Sequence, residues 1–208
     1  HYVKYGQKEG RKGTGCTTLQ NATTVYNGIN YASVYDYNYY VNNNVDVKKA
    51  YGDDENAVLA HFVNYGMKEG RQAKSTFNAS SYRLQYVDLR NAYGSNLKNY
   101  YLHYMNSGAK EGRKGTGCTT VQGATTVHNG VDYSAVYDYY YYVSNNSDIK
   151  NAYGNDDQAV LAHFVNYGMK EGRQAKADFN VGAYRGNYAD LQSAYGNDLK
   201  SYYLHYMN

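Results

Sequence analysis

The sequence DVKKAYGDDENAVLAHFVNYGMKEGR, at Asp46–Arg71, recurs along this chain. Variants of it stand at Asp88–Arg113 and Asp148–Arg173, and a further one begins at Asp190. The segment HYVKYGQKEGR at His1–Arg11 matches its end. Self-similarity at a fixed spacing is the signature of repeat architectures, in which one supersecondary unit is used again and again. We therefore predict a fold built from repeated modules.

A longer period contains the shorter one. KGTGCTTLQNATTVYNGINYASVY at Lys12–Tyr35 returns as KGTGCTTVQGATTVHNGVDYSAVY at Lys114–Tyr137, 102 positions later. The recurring histidines alternate in spacing between 60 and 42 positions, at His1, His61, His103, His163 and His205. The predicted organisation is therefore the tail of a preceding repeat at 1–11, a first unit at 12–113 with modules 12–71 and 72–113, and a second unit at 114–208, truncated at its end.

Local signals predict a pair of helices in each module. Asp36 can cap a helix that runs to Tyr51 and stops at Gly52. Asp53 and Asp54, with Asn155 and Asp156 in the other copy, offer a cap for a second helix, whose apolar stripe ends at Gly66. In the 42-residue module the corresponding caps are Asn78 and Asn180, and Gly94 ends the first helix before its partner at 97–105.

The 60-residue module has an additional element. Asn27-Gly28 and Asn129-Gly130 each lie between β-branched and aromatic residues. Asn-Gly in that setting is the strongest short-range signal for a β-hairpin, because both turn residues need a positive φ. The predicted fold is mainly α, in the α+β sense: tandem helix-hairpin repeats stacked in a row, each 102-residue unit carrying one short β-hairpin.

Composition excludes several classes of function. The net charge is +3, and Lys and Arg alternate with Asp and Glu, so no basic stripe for nucleic acid is present. No apolar run approaches the roughly 20 residues that span a bilayer, so we predict no membrane insertion. The sequence contains no nucleophile, phosphate-loop or zinc-protease motif. We therefore predict that the chain is not an enzyme and that it needs no cofactor or metal.

The two most prominent recurring motifs, the K-E-G-R phrase and the spaced histidines, are interpreted as structural. The K-E-G-R phrase allows an anion or glycan contact, but a helix terminus is favoured, in which Gly66, Gly108 and Gly168 stop the helix and an arginine clamps a carboxylate such as Asp46 or Asp88. The histidines allow a metal site, but none has a second ligand nearby. The residues predicted to have structural roles are Arg71, Arg113, Arg173, His61, His103 and His163.

The cysteines leave two alternatives open. Cys16 and Cys118 occupy matching positions in the two units. They are either unbridged thiols on similar loops or a disulfide, and a disulfide requires the two Cα atoms to lie within roughly 7 Å.

Tyrosine is the candidate for a binding function. The chain has 30 tyrosines and no tryptophan. Tyrosine therefore has to form much of the core, but four consecutive aromatic residues on a helix cannot all face one core. Loops that bind proteins are also enriched in tyrosine, serine, asparagine and glycine. The residues predicted to bind ligand are Tyr35, Tyr37, Tyr39, Tyr137, Tyr139, Tyr140 and Tyr142.

The phrases YVDLRNAYG, LAHFVNYGMKEGRQA and NGVDYSAVYDYYYYV resemble a known family. They are similar to the tyrosine-rich tandem repeats of large secreted or surface proteins from gut Firmicutes, of the Lachnospiraceae type, over essentially the whole chain. Repeats of that family usually have proline before Asp-Leu. This chain departs from the pattern, with Val45, Val87, Ser147 and Ala189 at the corresponding positions.

The resemblance implies attachment or binding outside the cell, at the bacterial surface. We expect a non-enzymatic adhesion module that binds a macromolecule through tyrosine-rich faces. The favoured partner is a host protein such as immunoglobulin, bound in a superantigen-like way. The alternatives are a cell-wall or mucin glycan, and a spacer stalk with no ligand.

Overall fold

The computed structural model describes Tyr5, residues 8–9 and residues 18–208 of the chain. It is 56% helical and has two small antiparallel hairpins. The prediction of a mainly helical chain with short hairpins is thus confirmed. The predicted tail at 1–11 lies outside the described residues, apart from Tyr5, Lys8 and Glu9.

The chain divides into two compact units. Unit 1 comprises the described residues up to Arg83 together with Asn96–Gly117, and unit 2 comprises Leu84–Ser95 together with Cys118–Asn208. The segment Leu84–Ser95, which the sequence period assigns to the first repeat, therefore packs within unit 2.

The elements of unit 1 begin with a hairpin and continue as short helices. They are β1 (Val25–Tyr26), β2 (Ile29–Asn30), α1 (Tyr37–Asn43), α2 (Val45–Tyr51), α3 (Glu55–His61), the π-helical turn Phe62–Gly66, α4 (Met67–Glu69), α5 (Ala79–Gln85), which runs into unit 2, α7 (Leu97–His103) and the π-helical turn Tyr104–Gly108. Helix α6 (Val87–Tyr93) belongs to unit 2.

Unit 2 repeats the order. After α6 it contains β3 (Val127–His128), β4 (Val131–Asp132), α8 (Tyr139–Asn145), α9 (Ser147–Tyr153), α10 (Asp157–His163), the π-helical turn Phe164–Gly168, α11 (Met169–Glu171), α12 (Val181–Asn187), α13 (Ala189–Tyr195) and α14 (Leu199–Met207).

Both hairpins form as predicted. Val25 pairs with Asn30, and Tyr26 with Ile29, around the turn Asn27-Gly28. Asn27 and Gly28 have φ values of 49° and 78°, which is the conformation that a two-residue hairpin turn requires. The second hairpin is built in the same way around Asn129-Gly130.

The predicted helix caps are also confirmed. The Asp36 carboxylate accepts from the Tyr39 N–H at 2.7 Å, and Asp54 accepts from the Asn56 and Ala57 amides. The side-chain oxygens of Asn78 and Asn180 accept from the Ser81 and Ala183 amides, each at 2.9 Å. Each cap satisfies at least one of the amides that a helix leaves without an internal partner.

The prediction of a single helix from Asp36 to Tyr51 is wrong. Asn44 has φ −134° and ψ 81°, which separates α1 from α2. Its side-chain amide donates to the Tyr40 carbonyl at 2.8 Å, and its side-chain oxygen accepts from Arg71 Nη1 at 3.2 Å. The break is thus stabilised by an arginine 27 positions away in the sequence. Tyr86 interrupts the corresponding helix of the 42-residue module, with φ −116° and ψ 102°.

The prediction that Gly66 and Gly168 stop their helices is wrong, whereas the π-helical turn Tyr104–Gly108 does end at Gly108, as predicted. Gly66 has right-handed helical dihedrals, φ −54° and ψ −40°, and the helix continues through it to Glu69. The stop is Gly70, whose φ of 73° reverses the chain direction. Gly66 is needed for another reason: a Cβ atom at this position would lie 2.4 Å from the Tyr40 hydroxyl oxygen.

Aromatic rings form the core of each unit. In unit 1 the Phe62 ring lies 5.1 Å from Tyr35, 5.3 Å from Tyr40 and 5.6 Å from Tyr101, measured between ring centroids. Phe77 continues the cluster at 5.1 Å from Tyr101. In unit 2 the same arrangement is formed by Tyr137, Tyr142, Phe164, Phe179 and Tyr203. Tyrosine therefore supplies a large part of the core, as its abundance predicted.

Candidate binding site

Most of the tyrosines predicted to bind ligand belong to the core. Of that set, five are buried: Tyr35, Tyr37, Tyr137, Tyr139 and Tyr142. Tyr37 shares a buried face of α1 with Tyr40, and Tyr139 shares the corresponding face of α8 with Tyr142, because residues three apart lie on one side of a helix; Tyr35 and Tyr137 precede these helices and are also buried. Their recognition role is therefore contradicted by their burial. Tyr39 is half-buried, and Tyr140 is 45% exposed with its ring edge packed on Tyr139 at 5.2 Å.

The arginines of the K-E-G-R phrase hold the helix termini. Arg71 Nη1 donates to both Asp46 carboxylate oxygens, at 2.8 and 2.7 Å, and its Nε donates to Glu69. Arg173 makes the same contacts with Asp148 and Glu171. The hydrogen bonds from Arg71 hold the pKa of the Asp46 carboxyl below its usual value.

Arg113 follows part of this pattern. Its Nε donates to Glu111 at 2.6 Å, directly after the left-handed Gly112.

The histidines make a hydrogen bond that recurs in every module. The Tyr40 hydroxyl lies 3.0 Å from His61 Nδ1, and burial raises the pKa of that hydroxyl, so it stays protonated and can donate. The same pair, always 21 positions apart, is formed by Tyr82 with His103, Tyr142 with His163 and Tyr184 with His205, at distances of 3.0, 3.1 and 2.8 Å.

The histidine ring also contributes to an aromatic cluster at the surface. The His61 ring lies 5.6 Å from Tyr51 and 5.7 Å from Tyr65, measured between centroids. Tyr65 is 58% exposed, and Tyr51 is also exposed. We call Tyr51, His61 and Tyr65 the first surface triad.

Unit 2 has a second surface triad with the same geometry. The His163 ring lies 5.7 Å from Tyr153 and 5.6 Å from Tyr167, which is 59% exposed. Sequence reasoning missed both triads, because A-Y-G and F-V-N-Y-G were interpreted only as helix ends. The available signal was the identity of these tyrosines in both copies of the 60-residue module. The 42-residue module has Ser107 at the position of Tyr65.

Local structure fixes each member of the triad in place. Tyr51 is the last residue of α2, His61 is the last residue of α3, and Tyr65 lies in the π-helical turn. Turns of this kind inside α-helices are frequent at functional sites. His61 is anchored from below by Tyr40, which is fully buried. The exposed rings therefore stand on a rigid, buried support.

The groups around the triad lower the affinity of its histidine for a proton. Burial, and next the positive charge of Arg71, lower the pKa of His61, while Glu69 and Asp46 act in the opposite direction. His163 is affected in the same way by burial and Arg173. At neutral pH the triads therefore present neutral imidazole between two tyrosine rings.

This arrangement predicts a pH dependence of stability. The unfolded histidines take up a proton near pH 6.5, whereas the folded ones resist it to lower pH. Stability is thus fully present above about pH 6.5 and falls as the pH drops below that value. Asp46 and Asp148, whose pKa values are also lowered, lose their contribution only at more acidic pH. Urea unfolding midpoints at pH 7.5, 6.5 and 5.0 should fall in that order.

The matched variant replaces His61 and His163 with glutamine. Glutamine keeps a polar side chain but does not titrate, so the midpoint should change less between pH 7.5 and pH 5.0 than in the parent. If the midpoint of the variant changed with pH as much as that of the parent, the pH dependence would come from other groups.

The described residues show neither a metal cluster nor a long apolar helix. Within 18–208, no three His, Cys, Asp or Glu residues are grouped so that they could hold a metal ion. No helix in this part of the chain has the length and hydropathy to cross a membrane. Cys118 is half-buried and its thiol donates to the Thr120 carbonyl at 3.1 Å. Cys16, and with it the question of a disulfide, lies outside the described residues.

The arrangement offers aromatic area with polar groups beside it, which suits binding. No protein-family model, no curated protein and no solved structure matches this chain.

Proposed function

We propose that this chain is a non-enzymatic, extracellular binding module of a bacterial surface or secreted protein, and that its ligand is a host protein such as immunoglobulin. The observation that carries the proposal is the pair of surface triads, repeated with the same geometry in two units. Repetition of a surface serves binding, because two sites on one chain gain avidity for a multivalent or surface-bound ligand.

The chemistry of the triads supports a protein ligand. Exposed tyrosines such as Tyr65 and Tyr167 supply a large, rigid contact area at low entropic cost, and tyrosine is enriched at binding hot spots. The near-neutral charge of the chain also argues against a purely electrostatic target. The resemblance to surface repeats of gut bacteria supports an extracellular location, and stacking of the modules in a row would carry the triads along an array.

A cell-wall or mucin glycan is the second candidate ligand. The triads support it because His61, which packs against both exposed tyrosine rings, lies near the charged groups Asp46, Glu69 and Arg71, which can hydrogen-bond to sugar hydroxyls. The absence of tryptophan counts modestly against stacking on sugar rings.

Biolayer interferometry of the purified chain tests the proposal. Polyclonal IgG and IgA form one surface, and immobilised mucin forms another, with pull-down on bacterial sacculi in parallel. Saturable binding to immunoglobulin supports the host-protein function. Binding only to mucin or sacculi supports the glycan alternative. No binding to any of these surfaces would contradict both and leave a spacer as the favoured function.

Changing both triads should weaken binding strongly. The variant carries Tyr65→Ser and Tyr167→Ser, which remove exposed rings without opening the core. We expect the Kd to rise at least about tenfold, since truncation of a hot-spot aromatic costs about 2 kcal/mol or more. The measurement is the Kd on whichever surface the parent binds.

The matched control carries Tyr188→Ser, an exposed tyrosine outside the triads and outside the set that the sequence predicts to bind ligand. Its Kd should stay within about twofold of the parent, because tyrosines outside a hot spot contribute little. If both variants lost the same affinity while their circular dichroism spectra stayed unchanged, the triads would not be the binding site.

A further inference from the structure

A buried arginine joins helix α6 to the rest of unit 2. The Arg90 side chain is 1% exposed, and its Nε donates to the Asp157 carboxylate at 3.1 Å. Its Nη1 donates to the Leu84 carbonyl at 2.9 Å, and its Nη2 to the carbonyls of Gln122 and Gly123 at 2.6 and 3.1 Å. Every nitrogen of the guanidinium group therefore has an acceptor.

The surface that receives Arg90 is itself ordered by hydrogen bonds. The second oxygen of Asp157 accepts from the Thr125 amide at 2.9 Å. The backbone N–H of Gln122 donates to the Leu84 carbonyl at 2.8 Å, which fixes the segment Leu84–Ser95 to the loop that contains Gln122. The neighbouring Val121 is buried at 1% exposure. This acceptor surface combines one carboxylate, two backbone carbonyls and one apolar contact.

Unit 1 contains a second copy of this acceptor surface. The Glu55 carboxylate stands at the position of Asp157 and accepts from the Thr23 amide at 2.6 Å. Asn21 has a φ of 56°, the same value as Gly123, so the loop backbone turns in the same way. Gln20 Nε2 donates to Thr18 Oγ1 at 3.0 Å, as Gln122 does to Thr120 at 2.9 Å.

The two copies differ in what covers them. Asp157 and Val121 are buried beneath the segment Leu84–Ser95, whereas their counterparts Glu55 and Leu19 are only half-buried. A left-handed φ at a non-glycine residue such as Asn21 is uncommon, and it holds the loop in the form that in unit 2 directs two carbonyls at an arginine.

The chain itself offers a second helix of the same kind, but with a different side chain. Helix α13 repeats α6 at a distance of 102 positions, and Gln192 stands in place of Arg90 and is exposed. Glutamine carries no positive charge and has two N–H donors, compared with five in arginine. Helix α13 therefore lacks the group that the Glu55 surface is built to accept.

We propose that the surface formed by Leu19, Gln20, Asn21, Thr23 and Glu55 is a docking site for an arginine-bearing helix of the α6 type, supplied by another copy of the repeat. The arginine would pair with the Glu55 carboxylate and donate to the carbonyls of Gln20 and Asn21. This contact is heterologous, because the surface and the helix are different parts of the repeat, and contacts of that type either close into rings or extend into open arrays.

Backbone amide NMR on the intact chain tests this proposal. The probe is a synthetic peptide with the sequence of Leu84–Ser95, LQYVDLRNAYGS. Titration should shift the Thr23 amide and its neighbours saturably. The Thr125 amide should not shift, because its surface is already covered by the chain's own copy of the peptide sequence. The absence of saturable shifts at residues 19–23 would overturn the proposal.

Two controls isolate the role of the arginine. A peptide with the sequence of Gly186–Asn197, GNYADLQSAYGN, is the natural glutamine-bearing copy, and Arg90→Gln in the first peptide changes that one residue alone. Both should bind at least about tenfold more weakly, because each lacks the charge-assisted hydrogen bonds that the arginine would make. The variant Glu55→Gln, which keeps an acceptor for Thr23, should weaken binding of the arginine peptide by a similar factor. Equal binding of the arginine and glutamine peptides would overturn the proposal.

Discussion

Replacing Gly66 with alanine is expected to lower the free energy of unfolding of unit 1 by about 2–4 kcal/mol. The added Cβ atom would lie 2.4 Å from the Tyr40 hydroxyl oxygen and 3.2 Å from the Phe62 ring. The Tyr40 ring cannot move aside, because it is fully buried against Phe62 and Tyr35. Overpacking of this kind costs about 1–3 kcal/mol, and loss of the Tyr40–His61 hydrogen bond adds about 1 kcal/mol.

The matched control is Gly186→Ala in helix α12. Gly186 also lies in a helix, but a Cβ atom there meets nothing within 4 Å. Alanine should therefore stabilise this helix by up to about 1 kcal/mol, since glycine is the poorer helix former. Urea unfolding followed by circular dichroism measures both variants.

The double variant Tyr40→Phe, Gly66→Ala tests the cause of the effect. Removal of the hydroxyl leaves ring carbon Cζ as the nearest Tyr40 atom to the new Cβ, at 3.3 Å. The double variant should therefore be more stable than the sum of the two single changes predicts. Simple additivity would show that the hydroxyl is not the obstacle, because residues in contact are expected to couple by 0.5–3 kcal/mol.

The elements that were predictable from sequence are those whose signals are local. The hairpin turn at Asn27-Gly28 and the cap at Asp36 depend on dihedral angles and hydrogen bonds within a few residues. The repeat period likewise requires only comparison of the chain with itself. These signals indicated the helical class, the hairpins and the helix starts, and the structure bears them out.

The features that were missed depend on distant residues. The break at Asn44 is held by Arg71, and the glycine at 66 is required by Tyr40. Neither pairing is visible within one helix pattern. Consecutive tyrosines on α8 also give no local sign of which ring is buried, so the binding role was assigned to tyrosines of the core. The surface triads form only where α2, α3 and the π-helical turn meet.

Replacing Arg90 with glutamine is expected to destabilise unit 2 by about 3–5 kcal/mol. The change leaves the Asp157 carboxylate buried without the Arg90 charge, and breaking one partner of a buried pair costs about that much. It also removes donors from the carbonyls of Leu84, Gln122 and Gly123. Gln192→Ala, at the exposed counterpart, should change stability by less than about 0.5 kcal/mol.

The expected signature is a loss of cooperativity as well as of stability. Arg90 and its acceptors on Leu84, Gln122, Gly123 and Asp157 belong to unit 2, so unit 1 should keep its unfolding midpoint while unit 2 unfolds at lower urea concentration. The double variant Arg90→Gln, Asp157→Asn should recover part of the loss, because it removes the uncompensated charge while keeping an acceptor for the Thr125 amide. A double variant as unstable as Arg90→Gln alone would show that the carbonyl contacts, and not the ion pair, determine the contribution of this arginine.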